Sequence, residues 1–139
     1  MKFYVAASLK DEAAARAVMD ALRGRGHEIT FDWVAEEERG AQWGEDKRRE
    51  VAQLEIDGVR AADAVVFIAP GGRGAHCELG AALALGAPVL LVGVWEFSLF
   101  YYHPNVTWLR GVLRRDLTDE QHGPAFADIV AERAENLAC

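Results

Sequence analysis

The stretch 63–92 constrains this chain more than any other. Residues 64–69 (AVVFIA) form a short apolar run with β-branched side chains, and 89–92 (VLLV) form a second. Runs of this kind, without polar alternation, fit strands covered on both faces. Between them, Pro70-Gly71-Gly72-Arg73-Gly74 reads as a glycine turn. Residues 75–85 are apolar nearly all round, which predicts a buried helix that takes Cys77 with it. A strand, a crossover helix and a second strand make a right-handed unit with its two strands parallel.

Two features of this unit carry chemistry. Glycines in the turn let backbone N–H groups approach a ligand, and the helix start adds partial positive charge, so the turn suits an anion such as phosphate. Glu78 is the second. It is the only formally charged residue between Arg73 and Glu96, and it falls in the first turn of the apolar helix. Acids at helix starts can simply complement the dipole, but that accounts better for an exposed Glu than for one in so apolar a setting. A functional Glu78 is therefore expected, kept ionised by the dipole and the neighbouring N–H groups, as suits a nucleophile or a cation stabiliser.

The flanking sequence extends the same pattern. Residues 2–7 predict a first strand, followed by a turn through Ser8 and Asp11. A helix then runs to about Arg23, with Ala14, Val18, Ala21 and Leu22 inward and Gly24 as its stop. Residues 27–33 predict a second strand, with His27 as a strand-entry residue. The acidic stretch 34–44 predicts a mobile loop at the ligand crevice. Trp33 and Trp43 there would stack on a flat ligand or cover the sheet.

A second helix is predicted over 45–62. On a helical wheel Val51, Leu54, Gly58, Val59, Ala61 and Ala62 share an arc, edged by Ala52 and Ile56, with Gln53, Asp57 and Arg60 opposite. Glu55 falls inside the apolar arc. Partial burial would raise its pKa, as a proton donor needs, unless it pairs with an arginine such as Arg48. Asp57, on the polar face, is the weaker candidate. The aromatic segment 93–105 would be a lid or, more in keeping with its composition, an oligomer contact. Residues 106–109 predict a fifth strand. Thr118-Asp119-Glu120-Gln121 has capping-box form, but Gly123-Pro124 interrupts it, so the last helix is expected from Pro124, with Phe126, Ile129, Val130 and Leu137 as its apolar stripe.

The expected fold is thus α/β: one domain over 1–139, a Rossmann-like three-layer sandwich on a four- to five-stranded parallel sheet. A formal charge of −7 with scattered basic residues argues against a nucleic-acid polymer as partner. The longest apolar run, 85–95, is too short to span a bilayer. No signal-peptide pattern opens the chain, two cysteines make no disulfide framework, and no Cys/His spacing resembles a zinc site. A cytoplasmic protein without metal or cofactor is expected.

Taken together, three segments resemble the nucleoside 2-deoxyribosyltransferase-like superfamily, which includes nucleoside 5′-monophosphate N-glycosidases. They are Tyr4-Val5-Ala6-Ala7-Ser8-Leu9, Glu55-Ile56-Asp57-Gly58-Val59-Arg60-Ala61-Ala62-Asp63 and Gly74-Ala75-His76-Cys77-Glu78-Leu79-Gly80. The resemblance implies that Glu78 is the catalytic carboxylate and that Tyr4 lies near the sugar. It also implies that Ser8, Gly72 and Gly74 lie where a monophosphate is held. The second acid of that superfamily is usually Asp; its register falls here on Glu55, with Asp57 as the alternative.

Pro70 to Glu78 is also similar to the P-G-G-x-G-T-x-x-E motif of the cytokinin-activating "lonely guy" phosphoribohydrolases, with Ala75 in place of Thr. Both resemblances imply N-glycosidic cleavage of a small nucleotide or nucleoside, with no cofactor and in a homodimer or larger homo-oligomer. The expected roles are then Glu78 at C1′, Glu55 as acid/base, and Arg73 and Ser8 at the phosphate. His76 is open between a phosphate or sugar contact and a structural role at the helix start.

Overall fold

In the computed structural model the two apolar runs of the central unit lie side by side, Val65 to Ile68 paired in parallel register with Val89 to Val92. Residues 1–36, 42–93, 98–110 and 119–137 are described, 119–124 as backbone alone. The elements are β1 (Lys2–Ala6), α1 (Glu12–Gly24), β2 (Glu28–Ile29), α2 (Glu45–Ala61), β3 (Ala64–Ile68), α3 (Arg73–Ala84), β4 (Val89–Val92), β5 (Val106–Leu109) and α4 (Asp119–Leu137). All five strands are parallel, in the order β2-β1-β3-β4-β5. Helices α1 and α4 pack together on one face, and α2 and α3 on the other, which gives the expected three layers. Strands β3 and β4 are buried along their whole length, as a sheet covered on both faces requires.

The chain leaves β1 for one face through α1 and reaches β3 across the other through α2. The carboxyl ends of β1 and β3 therefore border the crevice where such sheets bind ligands. Two glycines shape this end of the molecule. Gly71 has φ +65°, and a Cβ there would sit 2.6 Å from Cζ of Phe67. At Gly58 a Cβ would meet Phe31 at 2.9 Å and the Tyr4 ring at 3.0 Å, so α2 lies directly against that ring.

Several expectations are corrected. The second strand is only Glu28–Ile29, an edge strand paired through Lys2 and Phe3. Asp32 ends the extended run, its carboxylate accepting the Ala35 N–H at 3.1 Å and turning Trp33–Ala35 into a 3-10 turn. Helix α3 buries one side only. Ala75, Glu78, Leu79 and Ala82 face inward, whereas Cys77, Gly80, Ala84 and Leu85 are exposed. Helix α2 buries Val51, Gly58 and Val59 but leaves Ala52, Leu54 and Ala61 exposed, because contact with β1 and α3 covers less than the predicted arc.

The last helix starts at Asp119 and includes Pro124, which removes one backbone donor near the helix start but leaves the packed turns beyond it intact. Within it Phe126, Ala127, Val130, Ala131 and Ala134 are buried, and Ile129 is exposed. Glu135 fastens this helix to the turn after α1. Its carboxylate accepts from Arg25 at 2.9 and 3.0 Å and lies 2.6 Å from Nε2 of His27, and these partners hold it at about 2. Parts of the expected loop (37–41) and of the aromatic segment (94–97, with Trp95 and Phe97), and Thr118, lie outside the described residues.

Candidate active site

Strand β1 ends in a turn through Ser8, and β3 ends in the Pro70–Gly74 loop. Between them lies a cleft of about 680 Å³. Ser8, Leu9, Lys10, Trp33, Glu36, Trp43, Val51 and Glu55 line it on one side, and residues 70–75 with Glu78 line the other. The structure thus brings Glu78, Glu55, Ser8, Gly72, Arg73, Gly74 and Trp33 to one cavity.

Glu78 sits in the second turn of α3 and is only 6% exposed. The hydroxyl of Tyr4, itself fully buried in β1, donates to Oε1 of Glu78 at 2.7 Å. Burial raises the Glu78 pKa from 4.5 to about 7; the Tyr4 hydrogen bond works against this, and the charge of Glu55 adds to it. The expectation of a Glu78 kept ionised by the helix dipole is therefore corrected: desolvation prevails. A net shift of that size, with the Tyr4 hydrogen bond already included, corresponds to about 3 kcal/mol against the ionised form. Fold stability alone gives no reason for a carboxyl group here. Tyr4 is displaced upward, mainly by burial and then by Glu78, so it stays a donor.

Glu55 approaches from α2. It is half-buried, burial raises its pKa, and it has no ion-pair partner among the described residues. Arg48, considered above as its partner, donates through Nε to the Trp43 carbonyl at 3.0 Å. Asp57 points elsewhere: it pairs with Arg60 at 2.5 Å and does not line the cleft. Two residues apart on a helix, Glu55 and Asp57 fall on nearly opposite sides, so only one can reach the cavity.

At the other end the cleft is cationic. Gly72 is the N-cap of α3 and no side chain caps the helix, which leaves its opening N–H groups without helical partners. Lys10 and Arg73 are exposed at the rim, and neither has an ion-pair partner among the described residues. The Ser8 hydroxyl donates to Asp11 at 2.6 Å, so toward a ligand its oxygen is left as an acceptor in this arrangement. The wall between the two ends is Trp33, whose indole N–H donates to the Val5 carbonyl at 2.7 Å. Trp43 and Glu36, the latter paired with Lys47 at 3.1 Å, complete it.

His76 does not line the cleft. Its Nδ1 is 2.9 Å from the Gly72 carbonyl and its Nε2 is 3.1 Å from the oxygen of the Tyr101 hydroxyl, whose one proton is donated to the Pro70 carbonyl at 3.1 Å. A carbonyl only accepts, so Nδ1 carries the proton toward Gly72. Sequence reasoning missed Lys10 and Glu36, which lie in turns without periodicity, and Tyr101. An aromatic run was visible, but not which ring turns inward. Among the described residues no group of three or more His, Cys, Asp or Glu side chains is placed to hold a metal ion, and no helix is long and apolar enough to cross a membrane.

Comparison with known proteins adds three results. The curated proteins contain no match to this sequence. Among solved structures the fold is similar to the CMP N-glycosidase BcmB of Clostridium botulinum, with 17% identity, TM-score 0.57, and 79% of this chain and 88% of that one covered. It is also similar to a 2-deoxyribosyltransferase of Bacillus psychrosaccharolyticus, with 22% identity, TM-score 0.61, and coverage of 78% and 85%. At such identities these likenesses speak for the fold. The family model for nucleoside 2-deoxyribosyltransferase matches residues 3–122, and with most of the chain in register the protein belongs to that family.

Proposed function

We propose that this protein hydrolyses the N-glycosidic bond of a (deoxy)nucleoside 5′-monophosphate, releasing free base and (deoxy)ribose 5-phosphate. One observation carries this reading: two carboxylates on different helices, Glu78 and Glu55, enter a single cleft whose rim holds the cations Lys10 and Arg73, without ion-pair partners among the described residues, and the uncapped start of α3. Breaking the bond builds positive charge at C1′, which an ionised Glu78 attacks or stabilises. Glu55 gives its proton to the leaving base, then takes one from the water that displaces Glu78 from C1′. Tyr4 holds Glu78 in place, and the remote phosphate positions the sugar. Trp33 and Trp43 are suited to flank the base.

Base exchange, the activity after which the family is named, uses the same residues with a second base in place of water. A cleft that senses a nucleotide without turnover is the reading outside catalysis. Incubation with nucleoside monophosphates, followed by chromatography, separates the three. Free base from a monophosphate alone, abolished by Glu78→Gln, is the expected result. Release from unphosphorylated nucleosides only when an acceptor base is present supports exchange. Tight binding without product supports sensing.

A homo-oligomer, a dimer or larger, belongs to the same proposal. It is supported by the apolar side of α3 left open at Cys77, Gly80, Ala84 and Leu85, and by the exposed Leu99, Phe100 and Tyr102. Light scattering across a dilution series tests it.

A further inference from the structure

We propose that His76 and Tyr101 are positioning residues that aim the N–H groups of the Pro70–Gly74 loop at a bound phosphate, an inference that rests on the phosphate-binding reading above. In a trans peptide the C=O of one residue and the N–H of the next point in opposite directions. Holding the Pro70 carbonyl therefore orients the Gly71 N–H, and holding the Gly72 carbonyl orients the Arg73 N–H. The Tyr101 hydroxyl holds the first at 3.1 Å, and His76 holds the second twice, through its backbone N–H at 3.1 Å as the first helical bond and through Nδ1 at 2.9 Å. Both rings lie outside the residues that line the cleft, so the carbonyls are drawn to the back of the loop and the two N–H groups face forward. A carbonyl turned the other way would set partial negative charge against an anion.

The grip is itself well anchored. His76 and Tyr101 stack with centroids 5.9 Å apart and share a contact at 3.1 Å between Nε2 and the hydroxyl. Phe67 packs its ring against both, at 5.3 and 5.7 Å, and lies under Gly71. Tyr101 is 2% exposed, and its own carbonyl accepts the Trp108 indole N–H at 2.8 Å, which ties it to β5. The loop after β3 thereby depends on a segment that follows β4 in the chain.

Calorimetric titration with inorganic phosphate tests this on wild type, Tyr101→Phe, His76→Phe, the Phe/Phe double variant and His76→Asn, with thermal melting to confirm folding. Removing one such hydrogen bond should weaken phosphate about five- to tenfold. The double variant should lose little more than the worse single one, since the two residues act as one network. His76→Asn, whose amide nitrogen takes the place of Nδ1, should recover most of the affinity lost in His76→Phe. Unchanged phosphate affinity in folded Tyr101→Phe and His76→Phe overturns the inference, as does an equal loss in His76→Asn and His76→Phe. A wild-type protein that ignores phosphate overturns the phosphate-binding reading itself, and this inference with it.

Discussion

Tyr4 and Glu78, far apart in sequence, meet through a 2.7 Å hydrogen bond in the interior, the strand donating and the helix accepting. The bond fixes the carboxyl group's orientation and draws its pKa down, against burial and against Glu55.

The first prediction concerns the pH profile of kcat/KM. Attack by Glu78 requires its ionised form, so the rate rises with pH through a limb near 7. Tyr4→Phe removes the bond that favours the carboxylate and should move this limb to higher pH. Glu55→Gln removes a neighbouring negative charge and should move it lower. Profiles of wild type and of the residual activity of both variants decide the matter; limbs that stay put or shift in the opposite directions count against the assignment.

Stability should follow the same group. A buried carboxyl whose pKa rises from 4.5 to about 7 on folding binds its proton more tightly in the native state. Its contribution is fully present below pH 4.5 and is lost as pH rises through 7. Glu78→Gln should therefore stabilise the fold at pH 8 by up to about 3 kcal/mol and have little effect at pH 4. Urea denaturation at the two pH values measures the difference, and the stabilised variant should be inactive.

Gly58→Ala should harm both fold and activity. Its new methyl group would press on the Tyr4 ring, the group that holds Glu78, and on Phe31. Overpacking of this kind costs about 1–3 kcal/mol. Thermal melting reads the first effect. Loss of kcat beyond the change in KM reads the second, because Glu55 lies one turn away on the same helix.

Lys10→Ala and Arg73→Ala should each raise KM for a nucleoside 5′-monophosphate by about tenfold and leave turnover of an unphosphorylated nucleoside, where measurable, nearly unchanged. Steady-state kinetics on the paired substrates checks this. Equal effects on both would remove these cations from the phosphate end.

Much of this was legible in the sequence because parallel strands announce themselves. The runs at 64–68 and 89–92 need no tertiary information to be recognised, and the glycine turn between them marks the crevice. Glu78 stood out for its isolation among apolar residues, and Glu55 for its wheel position. What stayed hidden depended on packing. No local pattern says that Asp32 will turn the chain and end β2 early, or that α3 will leave one side uncovered. The raised pKa of Glu78 escaped for the same reason: the helix dipole is visible in sequence, but the extent of desolvation is set by Tyr4 and the sheet around it. His76 stays open in the sequence between a ligand contact and a structural role, because only the fold sets the Gly72 carbonyl and the Tyr101 hydroxyl on its two nitrogens.

Helix α3 carries both the anion-facing start and the buried acid, with no break between Arg73 and Ala84. Gly74 and Glu78 are separated by about one turn, roughly 6 Å of rise. The span from the place that would grip a ligand's tail to the group that would act on its sugar is therefore built into a single rod. A rearrangement elsewhere in the cleft would leave that ruler unchanged.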